Sequence, residues 1–278
     1  MLKLIECPRD AMQGIKKFIP TDLKIKYINQ LLKVGFDTID IGSFVSEKAV
    51  PQLKDTGKIL DLLTYDQTIS KLLCIVANKR GAVKATLYEQ IDYLGFPLSV
   101  SEIFQNRNTN KTISQSLYEI EEIHNICINN QMELVIYLSM AFGNPYDELY
   151  DPEMVAELSK KLNDLDIRTI SLADTIGCSD TNNIKLLFSL LISEYPQIEF
   201  GAHFHSKRED SFKKIETAYI NGCRRFDSTI KGLGGCPFAN NRLVGNIPTE
   251  IIVDYFEKEL LIDNVEFKKS FEYSNLVF

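Results

Sequence analysis

The sequence has no CxxC pair, no apolar run near 20 residues, no low-complexity stretch and only three histidines. Each shortage excludes something. A membrane-spanning helix needs ~20 apolar residues, so none is expected. The segment from Met1 to Asp10 has no charged stretch followed by an apolar one and no Arg-rich amphipathic character, so neither a secretory signal nor a transit peptide is expected there. The six cysteines (Cys7, Cys74, Cys127, Cys178, Cys223 and Cys236) are sparse for a disulfide framework, and no structural thiolate cage for zinc is present. Reduced thiols in a cytoplasmic compartment are expected. Positive charge is not in excess either: 38 acidic residues outweigh 31 basic ones, for a formal charge of −7. A nucleic-acid partner draws most of its affinity from phosphate neutralisation, so this balance argues against one. It leaves room for a phosphorylated small molecule held by a few local cations.

What is present is the composition of a globular protein, 45% hydrophobic and 25% charged over 278 residues. Short β-rich runs alternate with helical patterns. The spacing predicts strands at Leu2–Cys7, Asp37–Ile41, Leu72–Ala77, Ile91–Phe96, Leu134–Ser139, Arg168–Leu172, Ile198–His203 and Arg225–Ile230. The fourth is the weakest, because Gly95 and Pro97 interrupt it. Helices are predicted over 21–34, 47–63, 80–89, 111–130, 151–164, 180–194, 207–221 and 248–257. Eight strand–helix units at roughly 35 residues each suit an α/β fold with one parallel sheet closed into a (β/α)8 TIM barrel. No linker splits the chain, so 1–278 is expected to form one catalytic domain, with a charged tail of unassigned structure beyond about 260.

Active sites of such barrels sit at the C-terminal ends of the strands. Polar residues collect there: Pro8-Arg9-Asp10 after the first strand, Asp40-Ile41-Gly42-Ser43 at the second, Ser171 to Thr175 at the sixth, His203-Phe204-His205 at the seventh, and Gly232-Leu233-Gly234-Gly235-Cys236-Pro237 with Asn246 after the eighth. Strand side chains alternate, so His203 and His205 point the same way. Asp10 can complete a metal site with them, and a carboxylate, imidazoles and an amide oxygen suit Mg²⁺ or Mn²⁺. The same residues also have plainer readings. The histidines can be hydrogen-bonded core groups, Asp174 a cap or turn residue, Arg9–Asp10 a plain ion pair, and the glycines a turn instead of a phosphate cradle. His124 receives no role, and Lys48 is a candidate phosphate contact.

With these residues in view, the sequence resembles the 3-hydroxy-3-methylglutaryl-CoA lyases, in a metallolyase superfamily that also includes isopropylmalate and homocitrate synthases. The resemblance covers about residues 2–255. It rests on Pro8-Arg9-Asp10-Ala11-Met12-Gln13, Ser43-Phe44-Val45-Ser46 with Val50-Pro51-Gln52, Ser171-Leu172-Ala173-Asp174-Thr175-Ile176-Gly177, His203-Phe204-His205, the glycine–cysteine loop through Phe238, Gly245-Asn246 and Thr249-Glu250. It implies that Asp10, His203, His205 and Asn246 hold a divalent cation. It also implies catalytic parts for Arg9 (enolate stabilisation), His203 (a candidate base), Asp40 (in the place of the family's acidic residue at the end of strand two) and Cys236 (proton transfer). Gln13, Ser43, Ser171 and Asp174 would lie near the substrate. The implied reaction cleaves 3-hydroxy-3-methylglutaryl-CoA to acetoacetate and acetyl-CoA; the implied assembly is a homodimer. A sister lyase for another 3-hydroxy-3-substituted acyl-CoA, a condensing synthase and a non-catalytic binding barrel stand as alternatives. The chain departs from the family pattern at Asp40 (usually Glu), Ala11-Met12 (Gly-Leu), Ser206-Lys207 (Asp-Thr), Asn144 (often Cys) and Lys231 (a small residue). The stretch from the cysteine to Asn246 is one residue longer.

Overall fold

The computed structural model describes residues 1–65, 68–235 and 244–278. Eight parallel strands close into a barrel in sequence order: β1 (Lys3–Glu6), β2 (Thr38–Ser43), β3 (Lys71–Ile75), β4 (Ile91–Ser99), β5 (Glu133–Ser139), β6 (Thr169–Asp174), β7 (Glu199–Phe204) and β8 (Arg225–Ser228). The pairing of Lys3 with Arg225 through Glu6 with Ser228 closes the ring. Parallel neighbours require long crossovers, and helices supply them. These are α1 (Pro8–Gln13), α2 (Thr21–Leu31), α3 (Thr56–Leu62), α4 (Lys79–Ala85), α5 (Glu102–Thr109), α6 (Ile113–Asn129), α7 (Pro152–Asp164), α8 (Thr181–Glu194), α9 (Arg208–Ile220), α10 (Thr249–Tyr255) and α11 (Asn264–Val277).

Local chemistry sets these boundaries. Capping boxes start α6 (Thr112 with Gln115) and α8 (Asp180 with Asn183), and Asp151 caps α7 with Pro152 at its first position. Strand alternation divides the core in two. On β5, Leu134, Ile136 and Leu138 face the helical shell, while Val135 and Tyr137 meet Leu73 and Tyr93 in a small apolar cluster of their own.

Four expectations change. Pro8 opens the short helix α1, which is not among the predicted helices, because proline at the first helical position gives up an N–H that has no partner there anyway. The helix expected over 47–63 is a 3₁₀ turn at Pro51–Leu53 followed by α3; Val45, Ser46, Ala49 and Val50 instead run along the barrel mouth. The strand expected to be weakest is nine residues long. Gly95 is required in it, since a Cβ there would meet Ile75 Cδ1 at 2.5 Å and Tyr137 at 2.9 Å. Gly95 sends its carbonyl to Val76. Pro97 therefore turns its missing N–H to the same side, beyond Ile75, where β3 has ended. The tail is the helix α11, which stacks Tyr273 on Tyr27 of α2 (6.3 Å between ring centroids) and sets Phe267 edge-on to Phe36. Among the described residues, no helix is long and apolar enough to cross a membrane.

Candidate active site

A cavity of about 470 Å³ opens at the C-terminal end of the barrel, a usual size for a small-molecule site. Arg9, Asp10, Gln13, Ser43, His203 and His205 all stand on its wall. Because α1 begins directly after β1, Arg9 and Asp10 are buried at the mouth instead of being carried out on a loop.

Asp10, His203 and His205 each offer a ligand atom within 4.8 Å of the others, and all three residues are buried. The two imidazoles are oriented by different partners. His203 Nδ1 lies 3.1 Å from Asp227 Oδ2. His205 Nδ1 lies 2.9 Å from the carbonyl oxygen of Thr175. A carbonyl only accepts, so His205 carries its proton on Nδ1. Its Nε2 is then a bare lone pair, buried and without a partner. An unpartnered imidazole nitrogen beside a buried carboxylate fits a divalent cation, whose ligands are commonly oriented through their second nitrogen. Asn246 reaches the same place. Its Nδ2 donates to Asp10 Oδ2 at 2.6 Å and to the Leu233 carbonyl at 2.8 Å. Gly234 (φ 89°) makes that approach possible, as a Cβ there would meet Asp10 O at 2.7 Å and Asn246 Nδ2 at 2.9 Å. The glycine segment thus packs on the metal-ligand candidates. Cys236 lies outside the described residues.

Arg9 is the centre of a second network. Its Nε and Nη2 donate to the single oxygen Oδ2 of Asp40 at 2.9 and 2.6 Å. Its Nη1 donates to Asp10 Oδ1 at 3.1 Å and to Gln13 Oε1 at 3.0 Å. Gln13 in turn donates to Asp10. The short Asp40 side chain still reaches the guanidinium, with Oδ1 left unpartnered. Burial raises the Asp40 carboxyl to about 6, with Arg9 pulling against that rise. Burial also acts to raise Asp10, but Arg9, His203 and His205 together hold it below the usual carboxylate value. For Arg9 burial works to lower the pKa; Asp40 and Asp10 reverse it, so the guanidinium stays charged. The histidines diverge. Burial lowers both, but the Asp227 hydrogen bond leaves His203 above its ordinary value, while His205 falls below.

The other expected site residues sit around this centre. Ser43 is on the cavity wall, with Oγ donating to Ile75 O and accepting from the Val45 N–H. Ser171 is fully buried and donates to Asp227 Oδ2 at 3.0 Å, behind His203. The Asp174 carboxylate turns away from the cavity to accept from the Cys178 and Ser179 N–H groups, Ser179 Oγ and Lys214. Lys48 is exposed; the cations at the cavity mouth are Arg107 and Lys111. Asp227, Tyr137 and Lys214 escape the sequence reading. Tyr137 packs edge-on against His203 with its hydroxyl buried and unpartnered. The signal for Asp227 is alternation: two residues past Arg225 on β8, it faces the lumen.

The HMGL-like family model matches residues 3–277. The chain is 33% identical over 262 residues to the hydroxymethylglutaryl-CoA lyase YngG of Bacillus subtilis, covering 94% of this chain and 87% of that protein. It is 30% identical to a 3-hydroxy-3-isohexenylglutaryl-CoA/hydroxymethylglutaryl-CoA lyase of Pseudomonas aeruginosa, covering 91% and 83%. Among solved structures, an HMG-CoA lyase from Acinetobacter baumannii, in complex with coenzyme A and 3-methylmalate, superposes with a TM-score of 0.91 at 31% identity, over 100% of this chain and 91% of that one.

Proposed function

The chain belongs to the HMGL-like family of acyl-CoA lyases and condensing enzymes, and from that premise we propose that it cleaves 3-hydroxy-3-methylglutaryl-CoA to acetoacetate and acetyl-CoA with Mg²⁺ or Mn²⁺. The observation that carries this reading is the convergence of Arg9 with the Asp10–His203–His205 group on one cavity wall. Asp10, His203 and His205 would hold the ion, together with Asn246 through its amide oxygen. When bound, the ion supplies a Lewis acid that lowers the pKa of the substrate's 3-hydroxyl.

The chain's own residues do the rest. His203, made more basic by Asp227, accepts the hydroxyl proton. In that role its Nε2 would be free of the cation, which Asp10, His205 and Asn246 would then hold. The C3–O bond becomes a carbonyl as the C2–C3 electron pair moves to C2, leaving a thioester enolate. Arg9, pinned by Asp40 and Gln13 before substrate arrives, meets the negative charge developing on the enolate oxygen. Cys236 returns a proton to C2. Ser43 and Gln13 contact the acyl group, Ser171 supports His203 through Asp227, and Asp174 organises the loop whose Thr175 carbonyl meets His205. Arg107 and Lys111 at the mouth suit the phosphates of coenzyme A. Residues 1–278 act as one catalytic domain, and the free thiols of Cys7, Cys74, Cys127, Cys178 and Cys223 suit a reducing cytoplasm.

A second reading has one observation in its favour. The cavity lining includes the apolar residues Val45, Val50, Leu53 and Phe104, and the Pseudomonas relative is named for two acyl groups. One experiment addresses both readings: purified protein with Mn²⁺ and either 3-hydroxy-3-methylglutaryl-CoA or its isohexenyl counterpart, following acetyl-CoA. Faster metal-dependent release from the methyl substrate supports the proposal. Release from the longer substrate alone replaces the substrate assignment.

A further inference from the structure

His205 is aimed by a backbone carbonyl, and a backbone carbonyl is only as fixed as the loop that carries it. The loop after β6 has no regular structure of its own until α8 begins at Thr181. It is organised around two buried charges. Asp174 collects four donors: the N–H groups of Cys178 (2.8 Å) and Ser179 (3.1 Å), Ser179 Oγ (2.6 Å) and Lys214 Nζ (2.7 Å). Lys214 comes from α9, on the far side of β7, and its side chain is 8% exposed. Its other acceptors are the carbonyls of His205 (3.1 Å) and Gly177 (3.4 Å). An ammonium has three N–H donors, and here all three are used. The loop is further tied down where Thr175 Oγ1 accepts from the Met140 N–H at 2.8 Å and where the His205 N–H reaches Asp174 O.

We propose that Lys214 is a positioning residue of the metal centre: by joining the Asp174 carboxylate to the His205 and Gly177 carbonyls, it fixes the Thr175 carbonyl that holds the His205 ring with Nε2 free. This rests on the reading of Asp10, His203 and His205 as a metal site. The two imidazoles are thereby set by two devices. A side-chain carboxylate, Asp227, holds His203 directly; a buried Lys–Asp pair holds His205 through the backbone.

The three histidines of the chain make the test direct, because ¹⁵N-histidine labelling yields three assignable rings. In metal-free wild type, His205 is protonated on Nδ1. In Lys214→Met it becomes a mixture of the two tautomers while His203 is unchanged, and Mn²⁺ affinity falls about 10- to 100-fold, the usual effect of losing an outer partner of a metal ligand. A wild-type His205 tautomer together with wild-type Mn²⁺ affinity in Lys214→Met overturns the proposal. Failure of the wild type to bind Mn²⁺ overturns the metal reading instead, and the tautomer comparison still decides the role of Lys214. Should Lys214→Met fail to fold, because Asp174 is left buried without a counter-cation, the double variant Lys214→Met/Asp174→Asn removes both charges. The same tautomer shift is expected in it, and its absence counts against the proposal in the same way.

Discussion

On the wall built by α1, β2, β7 and β8, each charged side chain is met by a partner. Arg9 binds Asp40, Asp10 and Gln13, and Asp227 binds His203 and Ser171. Elsewhere on the cavity lining, Val45, Val50, Leu53 and Phe104 are apolar, and the cations Arg107 and Lys111 stand at the rim. Arg107 is exposed and rests on the Tyr146 ring. The first wall is built like a catalytic centre, with dipoles and charges fixed before the substrate arrives. The second is built like a binding surface, whose contribution is area and the exposed charge of Arg107, Lys111 being paired with Glu119. Substitutions on the first should act on kcat, and substitutions on the second on KM.

The largest effect is expected at Asp10. Asp10→Ala removes a ligand and leaves Arg9 short of a partner, and kcat for the thioester should fall about 10³-fold or more. Unchanged turnover in steady-state assays would break the contrast between the walls. Arg9→Met follows, with a loss of about 10²–10³ in kcat and little change in Mn²⁺ affinity; a rise in KM alone would move Arg9 to the binding side.

A third prediction separates stability from either wall. Glu6 is buried between the Ile230 N–H and Thr249 Oγ1, and burial raises its carboxyl from 4.5 to about 8. The folded chain therefore keeps a proton that the unfolded chain releases near pH 4.5. Unfolded molecules bind fewer protons across that window, so stability falls as pH rises from about 5 to 8. Urea denaturation at pH 5 and pH 8.5 should show the wild type losing on the order of a few kcal/mol, while Glu6→Gln, which cannot ionise, loses less. The smallest effect belongs to the rim. Arg107→Ala should raise KM for the acyl-CoA about fivefold, as for one exposed charge contact worth about 1 kcal/mol, with kcat unchanged.

The barrel is legible in the sequence because strand alternation and helix caps are local signals. Leu134 to Ser139 reads as a strand from six residues, and Asp180 announces α8. The fourth strand misleads because Gly95 and Pro97 look like breakers, while their tolerance depends on where β3 stops. Residues 47–63 mislead in their first half, where Val50 and Leu53 line the cavity and only Thr56–Leu62 is α-helical. At the site, His203, His205 and Asp10 stand out because their residue types and strand-end positions already suggest a ligand set. Asp227 and Lys214 do not. One is an ordinary acidic residue within a strand and the other a lysine within a helix, and only the closed barrel brings the first to the His203 ring and the second to the His205 carbonyl. Asp174 is legible as the turn residue it proves to be, but its partnership with Lys214 is not.

The central claim is that Asp10, His203 and His205 form a divalent-metal centre. Electron spin-echo spectroscopy of Mn²⁺ added to the purified chain tests it most directly. The account predicts one Mn²⁺ per chain with ¹⁴N modulation from imidazole, and loss of that bound signal in His205→Ala at the same metal concentration. Mn²⁺ bound without imidazole nitrogen, or bound equally well by His205→Ala, would contradict it.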